Sequence, residues 1–234
     1  MNKQPNLMYS NNSVLMNSIS YAKRKEMFSL LQKLANFENL QQVLDVGATA
    51  DKLHPESNFF EQFYPYKELI TALSDQEAKF LEIQYPGLKF VQGNALNMPF
   101  EDNSFDLVFS SAVLEHIGSF ENQCKLFNEC LRVSKKYVFL TTPNRFYPIE
   151  FHTYLPLIHW LPKKIHRRIL NLIGQKELAL EENLNLLSKK DIKTMLDYCS
   201  ENSNFNAQIL KVRLFGAISN WVLFAQKLHA FTFQ

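Results

Sequence analysis

The sequence predicts an α/β domain, with a mostly parallel seven-stranded sheet and helices on both faces. Three observations predict it. Five short apolar runs, each five to seven residues long, alternate with segments of helical spacing. Runs apolar on both faces and separated by helices mark strands buried in a parallel sheet. Two more strand-like runs close the chain, and its 234 residues, 46% of them hydrophobic, suffice for one sizeable core.

Taken in order, residues 1–17 are rich in Asn and Ser and read as a loose arm. Met27, Leu30, Leu31 and Leu34 then recur at helical spacing, with Ser20 as the expected cap. Residues 1–40 thus form an arm and helix ahead of the main domain, residues 41–234. The first strand is Gln42 to Val46, followed by a short helix in ESNFFEQF. Leu69 to Leu73 is the second strand, and Ser74 is placed to cap a helix in DQEAKFLEIQ. Leu88 to Gln92 and Phe105 to Ser111 are the third and fourth strands. SFENQCKLFNECLRV is an amphipathic helix, and Lys136 to Thr142 is the fifth strand. The pattern then breaks. Pro143, Pro148, Pro156 and Pro162 interrupt a stretch read as an insertion over residues 143–185, a lid above the carboxyl edge of the sheet. Ser188 and Asp191 have the spacing of a capping box. FNAQILKV and WVLFAQK close the chain as a hairpin.

Composition narrows the function. The net charge is only +2, which gives no overall pull toward nucleic acid. The three cysteines, Cys124, Cys130 and Cys199, are odd in number and lack metal-ligand spacing; they read as reduced, buried thiols of a cytoplasmic protein. No apolar window is long enough for a membrane span, and the polar start does not read as a signal peptide. His116, His152, His159 and His166 lack the spacing of a zinc-binding helix, so no metal is expected.

VLDVGATADKLHPES, Val43 to Ser57, starts like a nucleotide-cofactor loop and then lacks the further glycines a pyrophosphate needs. With LSDQ at the second strand end, VQGNALNMPFEDNSFDLVFSSAVLEHI and LRVSKKYVFLTTPN, it resembles the class I S-adenosylmethionine-dependent methyltransferases. The most specific part is PFEDNSFDLVFSSAVLEHI, with its Pro-Phe turn, acidic loop, Phe-Asp-Leu-Val and Leu-Glu-His. The resemblance implies a Rossmann-like fold and S-adenosylmethionine as cofactor. It implies that Asp45 and Gly47 hold the methionine part, with Ala48 and Thr49 in the same loop. Ser74 or Asp75 then falls at the ribose, Asn94 and Ala95 at the adenine, and Ser110 and Ser111 near the transferred methyl. The chain departs from the family at the second and third glycines and in carrying Asn94 where an acid is usual.

The cofactor has a carboxylate and an ammonium but no phosphate, so one glycine suffices for the turn. Turn amides suit the carboxylate, and Asp45 or Asp51 the ammonium. Thr49 and Asp51 equally suit a simple turn. Methyl transfer needs alignment of nucleophile, carbon and sulfur, and a base where the nucleophile starts protonated. His116, Glu150 and His152 follow the fourth and fifth strands and are the catalytic candidates; His116 also suits a hydrogen bond within its loop. Asn144 and Arg145 suit a polar acceptor, and Arg145 also suits a surface ion pair. The lid, with Lys163, Lys164, Arg167 and Arg168, reads either as a rim touching a membrane or as a cap with a solvated basic face. The expected activity is methyl transfer to a small-molecule or glycan/glycolipid acceptor. A degenerate fold that binds a partner without catalysis is the alternative, and a nicotinamide-dependent oxidoreductase fits GATADK badly.

Overall fold

The computed structural model describes residues 14–52, 57–201 and 204–228. Its strands are β1 (Val43–Val46), β2 (Ile70–Ser74), β3 (Lys89–Gln92), β4 (Phe105–Ser111), β5 (Ser134–Pro143), β6 (Phe205–Leu214) and β7 (Ala217–Lys227). They form one seven-stranded sheet in the order β3-β2-β1-β4-β5-β7-β6. The pairs β1–β2, β2–β3 and β4–β5 are parallel, whereas β7 runs antiparallel to both β5 and β6. The sheet is therefore mixed, as the alternating runs and closing hairpin predict. Two compact units divide the chain at Pro99.

In the first unit, every residue of β1 and β2 is buried. That is the physical content of their apolar runs, which enclose the buried polar groups Asp45, Thr71 and Ser74. Three helices accompany them: α1 (Val14–Leu34), α2 (Phe59–Phe63) and α3 (Phe80–Gln84). The ring of Phe28 on α1 meets those of Phe60 and Phe63 on α2, so residues 14–40 pack within this unit. The helix starts six residues before Ser20, which therefore lies inside it and caps nothing. No Gly or Pro interrupts Val14 to Ser20, so nothing stops the helix from extending back. The expected loose arm is helical from Val14, and its residues 1–13 lie outside the described residues.

The helix expected in DQEAKFLEIQ shrinks to five residues. Ser74 Oγ accepts from the Gln76 amide at 3.2 Å, and the Glu77 carboxylate accepts from the Lys79 amide at 3.0 Å. Such local bonds compete with a helix start. Ser74 is accordingly the last residue of β2 and not a helix cap.

The second unit contains α4 (Phe120–Val133), α5 (Lys163–Leu172) and α6 (Lys189–Ser200). On α4, Cys124, Phe127 and Leu131 form a buried stripe at helical spacing. Ser119 caps this helix through the Asn122 amide. The capping box on α6 is present in full: Ser188 Oγ accepts from the Asp191 amide, and the Asp191 carboxylate accepts from the Ser188 amide. All three cysteines are free and buried. Between β5 and α6, the insertion contains a 3-10 turn at Ile158–Trp160 and α5.

Asn144 and Arg145 hold this insertion together. Asn144 donates to the Ile218 carbonyl, while its Oδ1 accepts from Trp221 Nε1 at 3.0 Å and from the Phe146 amide. Arg145 donates to the carbonyls of His159 and Leu161 instead of forming the expected ion pair. Its guanidinium is half-buried among carbonyl oxygens, which hold it in place of a carboxylate. These bonds give both side chains a role in the fold.

Candidate active site

In the first unit, the loop after β1 turns at Gly47, whose φ of 96° favours glycine. The amides of Gly47 and Ala48 both donate to the Leu73 carbonyl, at 2.8 and 3.2 Å. The Thr49 amide donates to Asn58 Oδ1 at 2.8 Å, and Asn58 Nδ2 donates back to the Thr49 carbonyl. Thr49 Oγ1 accepts from the Asp51 amide, and Asp51 accepts from Ser57 Oγ. The loop thus closes on itself. The turn amides expected to meet a carboxylate are committed to the fold, because the long link to β2 is fastened through Asn58.

Two buried carboxyls, Asp45 on β1 and Glu61 on α2, lie close enough to act on each other. Asp45 is 5% exposed and Glu61 0%. Neither Glu61 oxygen makes a hydrogen bond of normal geometry. Burial, and then the neighbouring Glu61 charge, hold the Asp45 carboxyl well above the usual range. Glu61 is itself raised, chiefly by burial. Two dry carboxyls side by side require a proton or a cation. Sequence reasoning missed Glu61; the one signal was a charged residue amid the aromatics of FFEQF.

Ser74 is buried and tied to the Gln76 amide, which leaves Asp75 with the exposed carboxylate at the end of β2. Asn94 is exposed, but its Oδ1 accepts from the Leu96 amide at 2.8 Å, so Nδ2 is its remaining group. Ala95 lies beside it, half-buried.

In the second unit, β4 ends at Ser110, which is buried, and Ser111, whose hydroxyl pairs with that of Thr141 at 2.8 Å. Ala112 follows at a φ of 57°, sending the chain into the 3-10 turn Leu114–His116. This turn is framed by the segment before α6. The Asn185 amide donates to the Glu115 carbonyl at 2.7 Å, and Asn185 Nδ2 to the Gly118 carbonyl. Gln123 Nε2 donates to the carbonyls of Leu114 and Asn185. Sequence reasoning also missed Gln123, Asn183 and Asn185, because only the folded chain brings them beside Leu-Glu-His.

Three catalytic candidates and one further acid meet here. His152 Nδ1 lies 2.5 Å from Glu150 Oε1, and its Nε2 lies 3.0 Å from His116 Nε2. His116 Nδ1 lies 2.6 Å from the Asn183 carbonyl. A carbonyl oxygen or an ionised carboxylate only accepts, so both Nδ1 atoms carry protons. The two Nε2 atoms therefore face each other. Glu115, fully buried, accepts from Thr142 Oγ1 through Oε2 at 2.9 Å, while its Oε1 has no partner. Glu150 also accepts from the His152 and Thr153 amides, which fixes the turn that presents His152.

The charges follow from these contacts. Burial opposes ionisation of Glu150, but the His152 charge and the hydrogen bonds win and bring it down to about 2. Burial likewise opposes the imidazolium of His152, yet Glu150 raises that ring overall. His116 falls to about 4 through burial and the His152 charge. Burial pushes Glu115 up to about 7, against the pull of His152.

Comparison with known proteins agrees with the fold. A family described as a methyltransferase domain matches residues 44–140. A methyltransferase of the S-adenosylmethionine-dependent kind from Methanosarcina mazei is 21% identical, covering 85% of this chain and 97% of its own, at a TM-score of 0.52. A protein from Pyrococcus horikoshii is 15% identical, covering 97% of each chain, at 0.58. Magnesium protoporphyrin IX methyltransferase from Synechocystis, solved with bound S-adenosylhomocysteine, is 14% identical over 94% of this chain and 90% of its own, at 0.55. No curated protein matches the chain. Over residues 44–140 the chain is thus similar to a methyltransferase-domain family, and its fold is shared with a solved S-adenosylmethionine-dependent methyltransferase. The buried carboxyls of Asp45 and Glu61 are chemically suited to a cation, and the exposed carboxylate of Asp75 to hydroxyl donors.

Proposed function

We propose that this protein methylates a small-molecule or glycan acceptor at an oxygen or nitrogen, with His116, Glu150 and His152 as the acceptor-side machinery. The supporting observation is the pair of imidazoles, Nε2 to Nε2 at 3.0 Å, with both Nδ1 atoms anchored. Bound S-adenosylmethionine supplies an electrophilic methyl on a sulfonium. Asp45 and Glu61 hold its ammonium, and Asp75 its ribose. Ser110 and Ser111 stand at the end of β4, where the family places the methyl. Glu150 orients His152, and the Nε2 pair is the place for the acceptor's exchangeable proton.

The insertion favours a glycolipid among these acceptors. Leu172 is 86% exposed, and Leu157, Trp160 and Ile165 are also exposed. Lys164 and Arg168 share the exposed face of α5 with Ile165 and Leu172. Apolar groups beside cations suit an anionic membrane surface. No described helix is long and apolar enough to cross a membrane. The free thiols support a cytoplasmic location. The near-neutral balance supports an acceptor other than nucleic acid.

The test is incubation with cofactor carrying an isotopically labelled methyl, in a lipid extract and in a water-soluble extract, followed by mass spectrometry. Label is expected in a sugar-containing lipid. Label in a water-soluble product alone would overturn the glycolipid reading. No label in either, from folded protein that binds S-adenosylhomocysteine, would leave a binding protein without catalysis.

A further inference from the structure

We propose that Glu115, His116 and His152 form a binding site for one divalent first-row transition ion. One ligand atom from each residue lies within 4.8 Å of the other two. The two imidazole rings are nearly perpendicular, 83° apart, with their Nε2 atoms directed at each other. Because both Nδ1 protons are held by acceptors, the outward nitrogens present lone pairs. Two imidazole nitrogens 3.0 Å apart either share a proton or bind an ion set off the line between them, at about the 2.0–2.1 Å of a metal–nitrogen bond. Metal-bound histidines show this pattern: the second nitrogen donates to a carboxylate or carbonyl that fixes the ring.

Glu115 supplies the third ligand. Its Oε1 is buried and unpartnered, beside an Oε2 held by Thr142. A buried carboxylate oxygen without a donor is costly unless a ligand completes it. Glu150 holds His152 through Nδ1, and a bound dication would take the place of the protons otherwise shared among His116, His152 and Glu115.

The donor set selects the ion. Two imidazole nitrogens and one carboxylate oxygen suit Mn²⁺, Fe²⁺, Co²⁺ or Zn²⁺, whereas Mg²⁺ and Ca²⁺ prefer oxygen alone. Three protein ligands leave coordination positions open, as in catalytic centres and not in structural ones. An acceptor oxygen would take one of these and be made acidic by the ion, which would then replace the Nε2 pair as the group acting on its proton. That role rests on the function proposed above; the binding itself does not.

Chelator-stripped protein is to be titrated with Co²⁺, following the visible absorption of the ion, and with Zn²⁺ and Mn²⁺ by calorimetry. One equivalent is expected. His116→Ala and His152→Ala are each expected to weaken binding at least about 100-fold, and Glu150→Gln, which frees the His152 ring, about 10- to 100-fold. Circular dichroism monitors folding; if the alanine variants unfold, His116→Gln and His152→Asn take their place. Absence of a Co²⁺ band at millimolar concentration, or binding that survives the folded double variant, would overturn the site. Methyl transfer by protein that binds no ion would also overturn it while sparing the proposed function. A bound ion in protein that transfers no methyl would sink that function and leave the site standing.

Discussion

The loop after β1 and the turn after β4 solve opposite problems. The first closes on itself. Its amides go to Leu73 and Asn58, and its side chains bond to one another. What remains is a pair of buried acids, Asp45 and Glu61, both raised by burial and suited to a shared proton or a cation. The second is braced from outside by Asn183, Asn185 and Gln123. That bracing leaves the polar tips of His116, His152 and Glu115 directed at one another. One region presents charge and the other lone pairs. A ligand that is itself a cation suits the first, and a reacting group with a proton to lose, or an ion, suits the second.

Crossing two variants tests this contrast with the largest effects. Gly47→Arg places a bulky side chain at a left-handed turn, where the strain falls on the loop above Asp45. Binding of S-adenosylhomocysteine is expected to disappear in calorimetry, and methyl transfer with it. His152→Ala should leave that binding unchanged while turnover falls by about 10²–10⁴-fold, the usual contribution of a positioned proton-transfer group. If Gly47→Arg bound the cofactor normally, or if His152→Ala lost it, the two regions would not divide the work as described.

The regions also differ in how far the sequence disclosed them. The apolar runs located all seven strands: β1, β2 and β4 are buried almost throughout, whereas β3 and β6 are half-exposed and were legible by their β-branched and aromatic residues between turns. The capping box at Ser188 was visible too, since its partners are three residues apart. Asp45, Gly47 and Leu-Glu-His stood out as local strings. Glu61 did not, because its meaning depends on the fold bringing it beside Asp45, sixteen positions away. The pairing of His116 with His152 crosses 36 positions and two loops, and no spacing rule connects them. Helix α3 failed for a different reason: Ser74 and Glu77 offer the backbone local partners that outcompete the first turn.

A smaller effect, with a definite pH dependence, is expected from Glu61→Gln. The folded state holds the Glu61 carboxyl above its usual value, chiefly through burial. The native state therefore binds more protons than the unfolded chain once pH exceeds the unfolded carboxyl value of about 4.3. Native stability then falls as pH rises from there through the folded value. The glutamine variant lacks this decline, so its melting temperature should exceed that of the native protein at pH 7, with the gap closing near pH 4. Its affinity for S-adenosylhomocysteine should drop about 10- to 100-fold, corresponding to one charged hydrogen bond of about 1.5–3 kcal/mol. Unchanged affinity would show that the first region is not built around a cation.

The smallest effect should come from Ser188→Ala, which touches neither region's chemistry. It removes the acceptor for the Asp191 amide and the hydroxyl that donates to the Asp191 carboxylate at 2.7 Å. Loss of such a cap costs about 1 kcal/mol. In a chain of this length that lowers the melting temperature by about 2–4 °C. Cofactor affinity should not change, because the first unit contains no part of α6. Turnover well below the melting temperature should also hold, since the bonds from Asn183 and Asn185 to the Leu-Glu-His turn precede the cap and do not pass through the Ser188 hydroxyl. Differential scanning fluorimetry and the labelled-methyl assay, run on the same preparation, measure both. A turnover loss out of proportion to the melting shift would mean that the brace around His116 depends on the start of α6, and that the second region is less self-supporting than its hydrogen bonds imply.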